Sequence, residues 1–311
     1  MESVQCELYL YTPSLPLALV ATIIFSVLTT IHFLRMTRAG TWSGIYFVFG
    51  GVAQTSGYTA RIFSTQNPCN RVAYGIQSVL LLVGPTLIMF SVNLAMTEFT
   101  RALSAERFCW VPVNVQRPLY LSMNTILALI QGIGAIMTVS STNFTIIEAG
   151  AKIGIAMFVI QLVFWLFTLA ENTYITIRLR RGLSETSKSA FPTWKYWSQL
   201  FGLAVSIIAF GRNIMRLTMN GGVEFLVVNE WPSYAFDGYQ MAVVLGAWAI
   251  WYLPGKCRDA SEIVSNSMGL SRLHTGYSED SRDSTESRAQ RRHDRMQRRE
   301  DRLRRGRYEA C

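Results

Sequence analysis

Long apolar segments, separated by short polar loops, make up most of the first 255 residues. Each segment is about twenty residues long, which at about 1.5 Å of rise per residue is enough for a helix to cross roughly 30 Å of hydrocarbon. The segments are continuously apolar, whereas the strands of a membrane barrel would alternate, so the pattern predicts helices. The seven predicted spans are about 16–34, 44–62, 75–96, 119–139, 151–169, 197–217 and 234–253.

Composition agrees with a membrane protein. Of the 311 residues, 50% are hydrophobic and only 16% are charged, and the mean hydropathy is +0.23. Soluble domains carry roughly 25% charged residues. We therefore predict an all-α polytopic membrane protein, in which residues 1–255 form one bundle of seven transmembrane helices.

Residues 256–311 contain much of the charge and no apolar period, which predicts a basic, largely disordered tail. The tail is expected either to contact anionic lipid or to serve only orientation and trafficking. Nucleic-acid binding is not expected, because the basic segment has a single aromatic residue, Tyr308, and is tethered to a membrane.

Basic residues are concentrated in alternate loops, and such loops usually face the cytoplasm. The opposite loops contribute little beyond Arg71 and Lys152. We therefore predict an external N-terminus and a cytoplasmic C-terminus, in the plasma membrane. The basic residues of the predicted cytoplasmic loops are Arg35, Arg38, Arg101, Arg107, Arg117, Arg178, Arg180, Arg181, Lys188 and Lys195.

This topology places two of the five cysteines, Cys6 and Cys69, on the non-cytoplasmic side, where oxidation can occur. We predict a disulfide between them, which would fix the N-terminal segment to the loop after the second span. The cysteines lack CxxC spacing and the three histidines are far apart, so neither a metal site nor a cofactor is predicted.

Polar residues within the predicted spans are candidates for function, because ionisable groups in a membrane are costly unless paired. Arg212 and Arg216 lie one helical turn apart, and Glu230 and Asp237 lie about the start of the next span. We predict that one of these arginines pairs with one of these acids at the outer mouth of a lipid path. The candidate substrate-binding residues are Gln54, Tyr58, Arg61, Asn124, Gln131, Gln161, Arg212, Arg216, Glu230, Tyr234 and Asp237.

Structural roles remain open for each of these residues. A membrane amide can serve only to hold two helices together. The arginines and acids near residues 212–237 can serve only to hold the sixth and seventh spans together. The aromatic residues at the ends of the spans can belong to the interfacial belt of a membrane protein.

Several short motifs resemble those of the fungal lipid-translocating exporters, a family associated with sphingoid-base release and aminosterol resistance. The resemblance covers about residues 6–255 and includes Cys6. It rests on the order of the motifs Tyr11-Thr12-Pro13-Ser14 with His32, Gly57-Tyr58-x-x-Arg61, Gln77 with Leu80-Leu81-x-x-Gly84-Pro85, Gln131-x-x-Gly134, Gly154 with Gln161, Arg212-x-x-x-Arg216, and Glu230-x-x-x-Tyr234-x-Phe236-Asp237.

The chain departs from that family at three positions. The family's usual pattern has acids where this chain has Gln54, Asn124 and Met219. A chain without these carboxylates has less capacity to recognise a lipid ammonium group or to carry protons.

The resemblance implies a seven-span transporter that exports amphipathic lipids or lipophilic toxic compounds and thereby confers resistance. Its expected partners are membrane lipids or amphipathic small molecules. The alternative is a seven-transmembrane receptor or lipid sensor, although the chain has no DRY or NPxxY motif. An intramembrane lipid enzyme is the third reading. We expect no enzyme, because the chain lacks a GxSxG motif, a histidine cluster and a membrane Asp pair. Direct ATP hydrolysis is not expected either, because there is no nucleotide-binding motif.

Overall fold

The computed structural model describes residues 8–183, 185–253, 255–260, 262, 263 and 266. Contacts divide the chain into two units, Met1–Ser261 and Glu262–Cys311. The first unit contains the helices α1 to α11 described in the next two paragraphs, and the described residues of the second unit are helical. Cys6 and nearly all of the predicted tail lie outside the described residues.

The first unit begins with five long helices. They are α1 (Leu15–Ala39), α2 (Ile45–Gln66), α3 (Arg71–Ala102), α4 (Val113–Ser140) and α5 (Phe144–Gly182). Short 3-10 turns at Trp42–Gly44 and Glu106–Phe108 lie in two of the connections.

The rest of the unit contains two composite helices. After α6 (Glu185–Ala190), α7 (Trp194–Gln199) continues through π-helical Leu200–Ala204 into α8 (Val205–Asn220). After α9 (Glu224–Val227), α10 (Trp231–Ser233) continues through π-helical Tyr234–Tyr239 into α11 (Gln240–Ile250). No β-strand occurs among the described residues, which confirms the prediction of a helical protein.

Local sequence signals account for several helix ends. Pro16 occupies the first turn of α1, where a missing N–H costs no hydrogen bond, and Gly40 ends that helix at φ +61°. The side chain of Asn70 caps α3, and that of Asn143 caps α5. Each accepts a hydrogen bond from a backbone N–H of the first turn that would otherwise lack a partner.

Each long helix packs against the next in the chain, and α11 returns to contact α1. The most buried helix is α3: 78% of its most apolar stretch is buried, against 22% in α1 and 28% in α5. The main core includes large side chains from most of the helices, among them Phe25, Phe47, Ile88, Trp165 and Trp248. The bundle is therefore organised around α3.

The backbones of α4 and α5 approach closely at two glycines. A Cβ atom added to Gly150 would lie 2.7 Å from the carbonyl oxygen of Gly134. Small residues at helix contacts let membrane helices associate closely without a hydrophobic driving force. This contact forms one wall of the cavity described below.

Four helices, α1, α3, α4 and α5, are long and apolar enough to cross a membrane. The helix α2 is of sufficient length, but Gln54 and Arg61 lower its hydropathy. Each of the two composite helices contains a π-helical segment. Their longest α-helical parts are therefore short, with 16 residues in α8 and 11 in α11.

Large apolar side chains cover the outside of these helices, which in water would be an unusually extensive exposed patch. Apolar outer helices of this length identify an integral membrane protein. The exposed residues include Val20, Ile23, Val27, Ile126, Leu129, Ile133, Val163 and Leu166.

Candidate functional site

Five charged residues meet at the end of the bundle where α2 and α8 end and α10 begins. We call Arg61, Arg212, Arg216, Glu230 and Asp237 the arginine cluster. Three of them, Arg61, Arg212 and Asp237, have at most 4% of their surface exposed. Because buried charge is stable only when paired, the contacts within the cluster determine its chemistry.

Asp237 contacts two arginines at once. Arg212 donates from Nε to Oδ1 of Asp237 at 2.7 Å, and a terminal nitrogen of Arg216 contacts Oδ2. Arg212 and Arg216 are one turn apart on α8, so their side chains reach the same carboxylate. Both carboxylate oxygens of Asp237 are therefore occupied, one by each guanidinium.

Glu230 pairs with Arg61 of α2 instead of with an arginine of α8. The distance between Arg61 Nη2 and Glu230 Oε1 is 2.8 Å, and the backbone N–H of Ser14 donates to both oxygens of Glu230. Arg61 also donates to the hydroxyl of Tyr11 at 2.9 Å. This second pair joins the segment before α1 to α2 and α10.

Aromatic rings surround these ion pairs. The ring of Tyr58 stacks between Phe25 and Tyr234, at centroid distances of 5.4 and 5.8 Å. The guanidinium of Arg61 lies 5.0 Å from the centroid of Tyr234. A Cβ atom on Gly238 would come within 2.9 Å of the Tyr58 hydroxyl, so the small residue makes room for this stack.

A cavity of about 470 Å³ opens beside the arginine cluster. Its lining combines charged and phenolic groups with an apolar wall formed by residues such as Leu81, Val139 and Phe158. A site with one polar end and one apolar wall suits an amphipathic molecule. Six of the candidate residues line it: Tyr58, Arg61, Gln131, Arg216, Tyr234 and Asp237.

Three further candidates lie behind the lining. Arg212 and Glu230 hold Asp237 and Arg61, as described above. Gln161 of α5 accepts a hydrogen bond from Gln131 of α4 at 2.8 Å. Both amides are buried, and the bond holds Gln131 at the cavity wall.

The remaining two candidates, Gln54 and Asn124, are not among the cavity-lining residues. Gln54 is fully buried where α2 meets α3, close to Gly84. Asn124 donates to the carbonyl oxygen of Tyr120 on its own helix and lines a separate apolar cavity of about 310 Å³. Their place in the membrane was readable from the sequence, but the helix face on which they lie was not.

Sequence reasoning missed a group of polar residues that includes three lining residues of the cavity, Tyr9, Tyr74 and Gln77. The hydroxyl of Tyr9 accepts a hydrogen bond from Gln77 at 2.7 Å and contacts Ser64 at 2.9 Å. Burial raises the pKa of Tyr9. Tyr74 packs edge-to-face on Tyr9. The motifs that contain Tyr11 and Gln77 were the only indication in the sequence that this region belongs to the site.

A second buried carboxylate, Glu171 of α5, lies toward the opposite end of the bundle and also escaped prediction. Its Oε1 accepts from the backbone N–H groups of Trp110 and Val111 and from Gln116, at 3.0 to 3.2 Å. Its Oε2 accepts from the hydroxyl of Tyr120 at 2.6 Å. Glu171 thus joins the α3–α4 connection and α4 to α5, and we call these five residues the Glu171 cluster.

No set of three or more His, Cys, Asp or Glu side chains that could hold a metal ion occurs in the described part of the chain. Cys69 is disulfide-bonded, and its predicted partner, Cys6, lies outside the described residues. The pairing of these two cysteines stays a prediction.

Comparison with known proteins identifies relatives of the whole bundle. Protein RTA1 of Saccharomyces cerevisiae is 26% identical, covering 77% of this chain and 82% of the relative. Protoporphyrin uptake protein 1 of the same yeast is 21% identical, covering 78% of this chain and 91% of the relative. The yeast sphingoid long-chain base transporter RSB1 is 23% identical, with coverages of 74% and 69%. No solved structure matches the chain.

The sequence model of the family described as RTA1 like protein matches residues 47–260. The match includes nearly all of α2, all of α3 to α11 and all five members of the arginine cluster. It confirms the resemblance inferred from the motifs: this chain belongs to the RTA1-like family of membrane proteins.

Proposed function

We propose that this chain is a membrane translocator that exports amphipathic lipids or lipophilic toxic compounds, and that the cavity beside the arginine cluster holds the transported molecule. The cavity itself carries this proposal, because charged groups and an apolar wall lie within one space. The relatives add support, since one is named a sphingoid long-chain base transporter and another a protoporphyrin uptake protein. On this proposal the cavity residues bind and orient a ligand and catalyse no reaction.

We further propose that seven helices cross the plasma membrane: α1 to α5 and the two composite helices α7–α8 and α10–α11. Each composite helix is continuous through its π-helical segment, which supports counting each as one span. The basic residues of alternate loops support an external N-terminus. On this orientation the cavity opens toward the outer leaflet and the Glu171 cluster lies toward the cytoplasm.

Accessibility labelling from the two sides of the membrane tests this orientation. An epitope tag at the C-terminus should be reached by antibody only after cells are permeabilised, whereas one at the N-terminus should be reached in intact cells. A C-terminal tag that stains in intact cells would contradict the proposed topology.

Filling the cavity should stop transport and leave the fold intact. A Cβ atom on Gly154, which lines the cavity, would have Asn220 Oδ1 at 3.8 Å as its nearest neighbour. The side chain of Gly154→Leu therefore has room to enter the cavity. We expect it to reduce transfer of fluorescent amphiphiles in reconstituted liposomes about tenfold or more, equivalent to roughly 1.4 kcal/mol.

Gly246→Leu is the matched control. Gly246 lies in α11 and not on the cavity, and an added Cβ atom there meets nothing within 4 Å. Both substitutions replace a helical glycine by the same good helix former. Transfer by Gly154→Leu at the rate of Gly246→Leu would remove the cavity from the proposed path.

A further inference from the structure

We propose that the cavity selects amphiphiles with an anionic headgroup, a carboxylate or a phosphate monoester, over those with an ammonium headgroup. This inference rests on the proposed function for the role of the cavity and goes beyond it by assigning the charge of the ligand. The arginine cluster contains three positive and two negative side chains, so among the described residues it has one surplus positive charge.

Arg216 is the positive group best placed to meet a ligand. It lines the cavity with 21% of its side chain exposed, whereas Arg212 is only 2% exposed and lies behind it. The Nε atom of Arg216 is itself buried and has no hydrogen-bond partner among the described residues, as is also true of Arg61 Nε and Arg212 Nη2. The greater exposure of the Arg216 side chain therefore distinguishes it from the other two. A guanidinium presents a planar fork of donors that matches the oxygens of a carboxylate or a phosphate.

Both carboxylates of the arginine cluster already have cationic or N–H partners. Asp237 is the only acid among the described lining residues, and its two oxygens are occupied by Arg212 and Arg216. Glu230 is not a lining residue, and its oxygens accept from Arg61 and from the backbone of Ser14. An ammonium headgroup would thus find no unoccupied carboxylate oxygen in this cluster.

Aromatic rings could in principle hold an ammonium group through cation–π contacts. Here Arg61 already approaches two of the lining rings, with its guanidinium 5.0 Å from the centroid of Tyr234 and 6.0 Å from that of Tyr11. A second cation beside those rings would be repelled by Arg61. Tyr11 and Tyr234, the two lining rings nearest to Arg61, are therefore poor sites for an ammonium group.

The names of the relatives do not decide the charge of the ligand. Sphingoid long-chain bases carry an amine, whereas protoporphyrin carries carboxylates, and both names occur among the relatives. The charge of this chain's own cavity is the observation that separates the two.

Binding to the full-length protein in neutral-lipid nanodiscs tests the inference. The probes are fluorescent single-chain amphiphiles that share one tail and carry a carboxylate, a phosphate monoester, a primary ammonium or a hydroxyl headgroup. We expect both anions to bind about tenfold or more tightly than the ammonium. Equal or tighter binding of the ammonium amphiphile would overturn the proposal.

Arg216→Gln should remove most of this preference. It leaves one arginine for each acid, Arg212 for Asp237 and Arg61 for Glu230, so no charge in the described cluster loses its partner. A wild-type ratio of anion to ammonium affinity in Arg216→Gln would contradict the assignment of Arg216.

Met219 allows the same test without touching an ion pair. It lines the cavity one turn from Arg216, so Met219→Glu introduces a carboxylate that offsets the surplus charge. We expect the ratio of affinities to fall toward one or below in Met219→Glu and to be retained in Met219→Gln, which is of similar size. An unchanged ratio in Met219→Glu would overturn the proposal even if Arg216→Gln failed to fold.

Competition with inorganic phosphate tests whether the site needs the tail of the amphiphile. Inorganic phosphate, which has the charge and lacks the tail, should not displace the bound anionic probe at matched concentration. Displacement would contradict an amphiphile site.

In liposomes, transfer of ammonium probes in preference to anionic ones would overturn this inference and leave the proposed function standing. Charge-selective binding without any transfer would instead overturn the proposed function.

Discussion

Asp237→Asn is expected to destabilise the protein by on the order of 3–5 kcal/mol, because it leaves two arginines beside a neutral amide in a buried site. Arg212, the more buried of the two, would lose the carboxylate that accepts from its Nε at 2.7 Å. The measurement is thermal unfolding of the detergent-solubilised protein, followed by tryptophan fluorescence, together with the yield of folded protein.

A double substitution measures the interaction between Arg212 and Asp237. Arg212→Met combined with Asp237→Asn should lose less stability than the sum of the two single changes, because the buried charge and its partner leave together. Asp259→Asn is the matched control: Asp259 is 68% exposed, and its substitution should change the unfolding free energy by no more than about 0.5 kcal/mol. Wild-type stability in Asp237→Asn would contradict a buried ion pair that holds α8 to the helix beginning at α10.

Glu171→Leu should cost about 3 kcal/mol or more, since it removes the acceptor for four hydrogen bonds. The buried side chains of Gln116 and Tyr120 would lose this acceptor, and each buried donor left unsatisfied costs about 1–3 kcal/mol. Glu171→Gln keeps one acceptor oxygen and should be less harmful. Equilibrium unfolding of the purified protein in mixed micelles measures both changes.

Glu148→Leu provides the control on the same helix. Glu148 is 48% exposed and pairs with Lys152 one turn away, an exposed ion pair of the kind that contributes about 0.3–0.5 kcal/mol. We therefore expect Glu171→Leu to lower the free energy of unfolding much more than Glu148→Leu does. Equal losses at positions 148 and 171 would show that the Glu171 cluster does not hold α4 to α5.

The arrangement of the arginine cluster was readable in part from the sequence. Arg212 and Arg216 are one turn apart and Asp237 begins the next span, so their proximity follows from local spacing and span order. The partner of Glu230 did not follow in this way. Arg61 lies at the end of α2, far from Glu230 in sequence, and only the packing of the bundle brings the two together.

Continuous apolar helices also conceal which face points inward. Gln54, Asn124 and Gln131 were equivalent in the sequence, since each is a lone amide in an apolar span. Only Gln131 lines the cavity, because the rotation of each helix is set by its neighbours and not by its own pattern. Glu171 was missed for a related reason: its four donors come from residues 110–120, and no local signal places them beside it.

On the proposed function, the cavity beside the arginine cluster carries an amphiphile across the membrane. The most direct measurement is the rate at which fluorescent amphiphiles with carboxylate and with ammonium headgroups cross the bilayer of liposomes with and without the purified protein, with Gly154→Leu and Gly246→Leu measured in parallel. We expect fast transfer of at least one of the two probes with the wild-type protein and with Gly246→Leu, and transfer near the protein-free rate with Gly154→Leu. Transfer of both probes by the wild-type protein at the protein-free rate, or undiminished transfer by a folded Gly154→Leu protein, would contradict this role of the cavity.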